Sequence, residues 1–414
     1  MWEETKIVRV LDKIVIFSIY PVVFYLPISK AIIEIASTLA IVCYIVKKLI
    51  QRGELLKNNI NYAIFAYLAI CFISVFTSSN FGTSSKTFVG KIIQDTLFFF
   101  VVADSLNSQR RIKIFLFVLF FSSLILGADG IYQNFTHKDF IRRRPHYGLQ
   151  RIHTTFPTSN DFGCYLVTVI PFVLICSFLK SFRRSLRISF LCLSVLLFVC
   201  LLLTVSRGAW FAFVSTILFM SVWIRPLGII FFLLGLFIMV TQQFYYPVLK
   251  ERLSNFFIFG DSSSMDRKMI WQAGWKMFMS RPWIGLGIGT FMFNFKKFVV
   301  DSYPFGVPYA HNCYLQMAAE IGIIGLLSFL LLLVIFFYGG IKIIITKHRT
   351  FSWYILLASI AGIVGYCVQM AVDTNFYSLD LGLLFWMILG VGVAATKLAA
   401  VETTSQNLLT NPLI

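Results

Sequence analysis

The chain has 414 residues, 58% apolar and 17% aromatic, and only 13% are charged, about half the ~25% of soluble domains. With a mean hydropathy of +0.81, this composition excludes a water-soluble globular enzyme, a disordered chain and a secreted disulfide scaffold; it needs lipid as its solvent. The net charge of +18, from 36 Lys and Arg against 18 Asp and Glu, lies between apolar blocks rather than in one basic domain, which argues against nucleic acid as the partner.

Twelve apolar segments are predicted at roughly 14–29, 31–46, 61–78, 92–104, 114–131, 162–179, 188–205, 208–223, 226–241, 312–337, 353–372 and 380–397. They are continuous runs, not the alternating strands of a membrane barrel, so helices are expected. Several fall short of the ~20 residues of a straight span, which calls for tilt or for longer true boundaries. The first lacks a small-residue cleavage site and runs into the second, so it reads as a span rather than a signal. The expected organisation is nine spans within 1–241 including an outer loop at 132–161, a long loop at 242–311, three spans within 312–397 and a tail at 398–414. The eight cysteines sit in or beside apolar runs, with no C-x-x-C pair, and read as small packing residues.

Orientation follows from the basic residues. With loops 132–161 and 242–311 set aside, the short segments carry 19 Lys and Arg on the side of the N-terminus against 4 on the other. Both termini are therefore expected in the cytoplasm. The two long outer loops break the pattern, with 5 and 8 basic residues against 2 and 4 acids. Long loops cross regardless of charge, but retained positive charge also suits an anionic ligand.

Three residues stand out. Arg207 lies in Ser206-Arg207-Gly208-Ala209-Trp210, a tight outer turn between two spans. There a guanidinium can grip phosphate bidentately beside a helix N-terminus, or simply snorkel to the interface. His311 opens the stretch that returns to the membrane, where imidazole can take a proton near neutral pH or serve as a polar interfacial residue. Arg267 lies on a helix expected over Met265–Ser280, with an apolar stripe of Met269, Ile270, Ala273, Met277 and Phe278 and with Trp271 and Trp275 on a neighbouring face. Such an amphipathic element could rest at the headgroup level of the bilayer. Lys91 (or Lys86) could meet diphosphate or mark topology. Arg142, Arg143, Arg144, Arg151 and His153 could line a groove or touch headgroups. Gly285-Leu286-Gly287-Ile288-Gly289 has neither the spacing nor the preceding strand of a dinucleotide loop and reads as a turn with close backbone packing.

These pieces together resemble the O-antigen ligase/polymerase superfamily: Ser206-Arg207-Gly208, Asp266-Arg267 with Trp271, Arg281-Pro282-Trp283-Ile284-Gly285-Leu286-Gly287, and His311-Asn312 followed by Gly322 and Gly325. Arg151–Pro171, with Thr155-Phe156, Asn160 and Gly163, is similar to that family's segment too. The resemblance implies an all-α polytopic membrane protein of about twelve spans, GT-C-like, with one long periplasmic loop containing amphipathic helices. It implies a metal-independent glycosyltransferase without cofactors in the bacterial inner membrane. The donor would be a glycan on undecaprenyl diphosphate, and the acceptor a lipid A–core sugar. Arg207, Arg267 and His311 would be catalytic; Lys91, Arg142, Arg144, Arg151, His153, Trp271, Arg281 and Asn312 would bind substrate. A polymerase of the same superfamily uses the same motifs. A secondary transporter would instead need midplane ionisable residues, broken helices and a repeat. His311 as the base, and the absence of a candidate nucleophile among the outer-face carboxylates, favour direct displacement with inversion.

Overall fold

The computed structural model describes residues 2–51, 59–143, 151–224, 262–299 and 309–410. Among these the protein is all-helical. The helices are α1 (Trp2–Tyr25), α2 (Lys30–Ile50), α3 (Asn59–Phe76), α4 (Phe81–Thr87), α5 (Gln94–Ser105), α6 (Gln109–Thr136), α7 (Ser159–Cys176) and α8 (Arg184–Leu203). They continue as α9 (Arg207–Trp223), α10 (Ser262–Ser280), α11 (Phe291–Phe298), α12 (Cys313–Thr346), α13 (Phe351–Met370) and α14 (Leu379–Thr410). Helix starts are written in the sequence. Ser29, Asn80, Ser108, Thr158, Ser206, Asn312 and Thr350 each accept a backbone N–H of the following turn, which contributes about 1 kcal/mol per cap.

Seven of the described helices (α3, α6, α7, α8, α12, α13 and α14) are long and apolar enough to cross a membrane, and α9 is a shorter apolar helix of the same kind. The expected span at 226–241 lies outside the described residues. The short segment expected at 92–104 is corrected: α4, a π-helical turn (Phe88–Ile93) and α5 run on as one rod from 81 to 105, long enough at about 1.5 Å per residue to cross a bilayer. α14 continues through the segment expected as a tail, to Thr410.

Burial separates the helices into a centre and a rim. α7, α13 and α14 are the most enclosed of the seven. α13 packs on α7, α9, α12 and α14, and α14 packs on α5. Small residues allow the approach: a Cβ on Gly365 would lie 2.2 Å from Thr216 Oγ1, and one on Gly362 would lie 2.8 Å from the Thr168 carbonyl oxygen. At the rim, α9 exposes Phe211, Val214, Leu218 and Val222, and α12 exposes Ile324, Leu327, Leu331 and Val334. Apolar stripes facing outward at helical spacing are lipid-facing surfaces rather than core.

One end of the bundle is tied by ion pairs. Asp12 meets Lys47 and Arg111, while Asp104 meets Lys48 at 2.9 Å, Lys397 at 3.2 Å and the Tyr44 hydroxyl at 2.6 Å. All four lysines and arginines are on the side that the charge count assigns to the N-terminus. The candidate site lies at the other end.

At that end α12 is broken. Gly322 has φ +69° and ψ −176° inside the helix, a conformation open only to glycine at no steric cost. The break frees backbone groups, and the 282–289 segment takes them. Leu286 and Gly287 donate to the carbonyls of Ala319 and Glu320, and Ile323 donates to that of Pro282. The Glu320 carboxylate completes the joint by accepting the N–H groups of Gly289 (2.9 Å) and Phe291 (3.1 Å). Gly285, Gly287 and Gly289 all have positive φ, and a Cβ on any of them would fall 2.1–2.3 Å from a neighbouring atom. The reading of this string as a closely packed turn holds. The Gly322 break is a docking joint between the loop and the bundle.

Gly322→Ala is expected to destabilise the protein by about 3 kcal/mol or more, since the new Cβ would lie 2.2 Å from the Trp283 carbonyl oxygen. Gly339→Ala on the same helix meets nothing within 4 Å and is expected to be neutral or mildly stabilising. Thermal unfolding of the two variants in detergent checks the contrast; equal midpoints would contradict it.

Candidate functional site

The site is assembled from helix ends. α8 stops at Leu203, and Val205, at φ +50°, reverses the chain. Ser206 then caps α9 by accepting the Ala209 N–H at 3.4 Å, which makes Arg207 the first residue of the helix. Asn160, in the first turn of α7, links the surrounding walls. Its Oδ1 accepts from the Ser206 hydroxyl (2.9 Å) and from the Arg151 guanidinium (3.1 Å), and its carbonyl accepts from Gln369 of α13 (2.9 Å). Arg151 Nε donates in turn to the Thr204 carbonyl at 2.9 Å. Two glycines set the spacing, because a Cβ on Gly163 would lie 2.6 Å from Ala209, and one on Gly208 would lie 2.7 Å from Val372.

These walls enclose a polar cavity of about 80 Å³ whose charged lining is Arg151, Arg207, Arg267 and Asp373. Three arginines thus come from three separate stretches of chain: the segment before α7, the tip of α9 and the first turns of α10. Focused positive charge next to the N-terminal ends of α7 and α9 is an anion-binding arrangement.

His311 reaches this cavity through Asp373. Its Nδ1 lies 3.3 Å from Asp373 Oδ1, which also accepts the Thr374 N–H at 2.8 Å. Cys313 Sγ donates to the Asp373 carbonyl at 3.1 Å, which ties the start of α12 to the end of α13. Burial acts to raise the Asp373 carboxyl. The hydrogen bond and charge of His311, the Thr374 N–H and the Arg267 guanidinium outweigh it and hold the group below the usual carboxylate range. A depressed value in the folded state means that this arrangement stabilises the protein above the unfolded carboxylate pKa of about 4, and that the contribution is lost as pH falls through the folded value. His311 (φ +47°) and Val205 (φ +50°) are both held in the left-handed region, at a cost of about 1–3 kcal/mol each. Val205 lines the cavity and His311 contacts Asp373 of its lining, so the strain falls where geometry is fixed against local preference.

The other expected site residues are placed as follows. Trp271 donates its indole N–H to the Ala310 carbonyl at 2.9 Å, next to His311. Asn312 caps α12, its Oδ1 accepting the Leu315 N–H at 2.9 Å. Arg281 donates to the Thr77 carbonyl at 2.9 Å, and Arg142 to that of Ile28 at 2.6 Å. The His153 ring lies 2.8 Å from the Phe156 carbonyl. Lys91 lies in a separate small cavity, over the Tyr377 ring at 5.5 Å and 3.4 Å from the Ser378 carbonyl. Arg144 lies outside the described residues. Arg151, Arg207 and Arg267 therefore share one cavity, with His311 joined to it; Lys91, Arg142, His153 and Arg281 do not line it.

Sequence reasoning missed Asp373, Gln369 and the linking role of Asn160. Asp373 is the one charged residue in the turn 373–379, and that isolation is its only signal. Its carboxylate lines the cavity beside His311 and so has to be weighed as a nucleophile, which the sequence reading did not do.

α10 has the expected stripe. Ile270, Ala273 and Met277 are buried with Leu286, Phe291, Phe295 and Ala319, so the stripe packs on α11 and the first part of α12 rather than on lipid. Among the described residues, no group of three or more His, Cys, Asp or Glu could hold a metal ion.

Residues 192–330 match the family described as O-antigen ligase. No curated protein matches the chain. The matched stretch contains Arg207, Arg267, His311 and the Gly322 joint, whereas Arg151, Asn160 and Asp373 lie outside it. The match, over about a third of the chain, supports the O-antigen ligase/polymerase superfamily read from the motifs.

Proposed function

We propose that the arginine cavity receives the diphosphate of an undecaprenyl-linked glycan, and that the protein transfers this glycan to a sugar hydroxyl of lipid A–core. The carrying observation is the convergence of Arg151, Arg207 and Arg267 on one cavity beside a His311–Asp373 pair. A lipid diphosphate is already a good leaving group, so the main task is to neutralise charge as it departs. Preorganised guanidinium groups suit that task, each charge-assisted hydrogen bond contributing about 1.5–3 kcal/mol.

In this reading Asp373 fixes Nδ1 of His311 and leaves Nε2 for the acceptor hydroxyl. As the hydroxyl oxygen bonds to the anomeric carbon, its proton passes to Nε2. The bond from that carbon to the diphosphate oxygen breaks, and undecaprenyl diphosphate leaves. Displacement in a single step inverts the anomeric carbon. The ion-paired end with both termini would face the cytoplasm and the arginine end the periplasm, in the inner membrane.

The test is transfer with purified protein in liposomes, labelled polyprenyl-diphosphate glycan and lipid A–core, with and without chelator. Label is expected on lipid A–core in both arms. Label lengthening on the carrier instead would make the protein a polymerase. Loss of transfer with chelator would overturn the metal-independent mechanism, and label moving to neither acceptor would overturn the transfer reading.

A further inference from the structure

We infer that the outward face of α10 is a saccharide track, along which the acceptor oligosaccharide lies while its reacting hydroxyl is presented to His311 beside the arginine cavity. The inference rests on the transfer reading for which substrate is meant, and names the part of the protein that reads the sugar. Arg267, Trp271 and Trp275 recur every four residues on one face of α10. Arg267 lines the cavity. One turn on, Trp271 is fixed by its indole N–H to Ala310, the neighbour of His311. One turn further, Trp275 is 56% exposed. From Arg267 to Trp275 the helix rises about 12 Å, so the track leads away from the reacting groups over more than one sugar ring.

The chemistry of this face suits a sugar better than a lipid. A pyranose has an apolar C–H face, which stacks on an aromatic ring, and a hydroxyl edge, which needs donors and acceptors. Lys268, Gln272 and Lys276 are exposed between and beside the two tryptophans, and they supply those partners. A tryptophan anchoring a protein at a headgroup layer keeps its N–H for that layer. The Trp271 N–H is committed to the protein, which leaves its ring for contact. The apolar stripe of the helix is already used, buried against α11 and α12. The two rings lie off that stripe, Trp275 resting against Phe278 at 5.3 Å between centroids, and both leave surface exposed.

The experiment uses the full-length protein in nanodiscs of zwitterionic lipid and, as probe, water-soluble core oligosaccharide released from lipopolysaccharide. Binding is read by saturation-transfer NMR on the sugar ring protons. Trp271→Ala and Trp275→Ala are each expected to weaken binding about tenfold, while Trp271→Phe and Trp275→Phe, which keep a ring, retain most of it. Binding within wild-type range in both alanine variants overturns the track. A parallel arm uses lipids brominated near the headgroup. If they quench the wild type, and Trp275→Phe removes the quenched fraction, the face lies in lipid and the inference fails. The readout is separate from catalysis. Oligosaccharide binding without transfer would leave the track standing and remove the transfer reading, and transfer with unaltered binding in the alanine variants would do the reverse.

Discussion

Lysine in place of Arg207 is expected to lower transfer by about 10²-fold or more, nearly as far as alanine does. Arg207 is the first residue of α9 and lines the cavity with Arg151 and Arg267. Its planar fork can hold two phosphate oxygens at once, whereas an ammonium is a point charge that keeps its net attraction but loses the second hydrogen bond. The loss should appear mainly in kcat, because charge on the leaving diphosphate grows in the transition state. The Ser206 cap does not depend on the Arg207 side chain, and thermal melts of both variants separate loss of fold from loss of transfer. Steady-state transfer with each variant checks this. A lysine variant with wild-type kcat would remove diphosphate binding from this position.

What could be read from the sequence, and what could not, divides by the range of the interaction. Ser206-Arg207-Gly208 was legible because a cap, a cation and a small residue at a turn act locally. The Gly285–Gly289 string was legible for a similar reason: repeated glycine signals backbone that passes close to something, even when the partner is unknown. The partner, the break at Gly322, lies more than thirty positions on in the chain, and a glycine within an apolar run carries no mark of a broken helix. Asp373 is 62 positions from His311, and nothing local to either residue points to the other. The segment at 92–104 was read short because Lys86 and Lys91 interrupt its apolar run. The helix itself continues through them, with Lys91 resting on Tyr377 and Ser378. Arginine recurs often enough that Arg142 and Arg281 looked equivalent to Arg151. Only the fold separates the one held by Thr204 and Asn160 in the cavity from those donating to the carbonyls of Ile28 and Thr77.

Asp373→Asn is expected to lower kcat by about 10²–10⁴, and its combination with His311→Ala tells which role Asp373 plays. The carboxyl is held below the usual range, so at neutral pH the substitution removes a full charge as well as an acceptor for His311 Nδ1. An amide that donates to Nδ1 would favour the tautomer with the proton on Nε2, which cannot accept the hydroxyl proton. If Asp373 acts through His311, the double variant should be no slower than His311→Ala alone, because the groups work as one unit. If instead Asp373 attacks the anomeric carbon itself, the two losses should multiply, the product should retain its anomeric configuration, and a glycosyl-enzyme ester should be trappable. The contacts favour the first case. Asp373 Oδ1 is shared between His311 and the Thr374 N–H, and the side chain is only 11% exposed against 38% for His311. A carboxylate oxygen already engaged by the imidazole and a backbone N–H is better placed to orient His311 than to attack a sugar carbon. Inversion of configuration, measured on the linkage formed in the transfer assay, should therefore accompany the non-additive double variant.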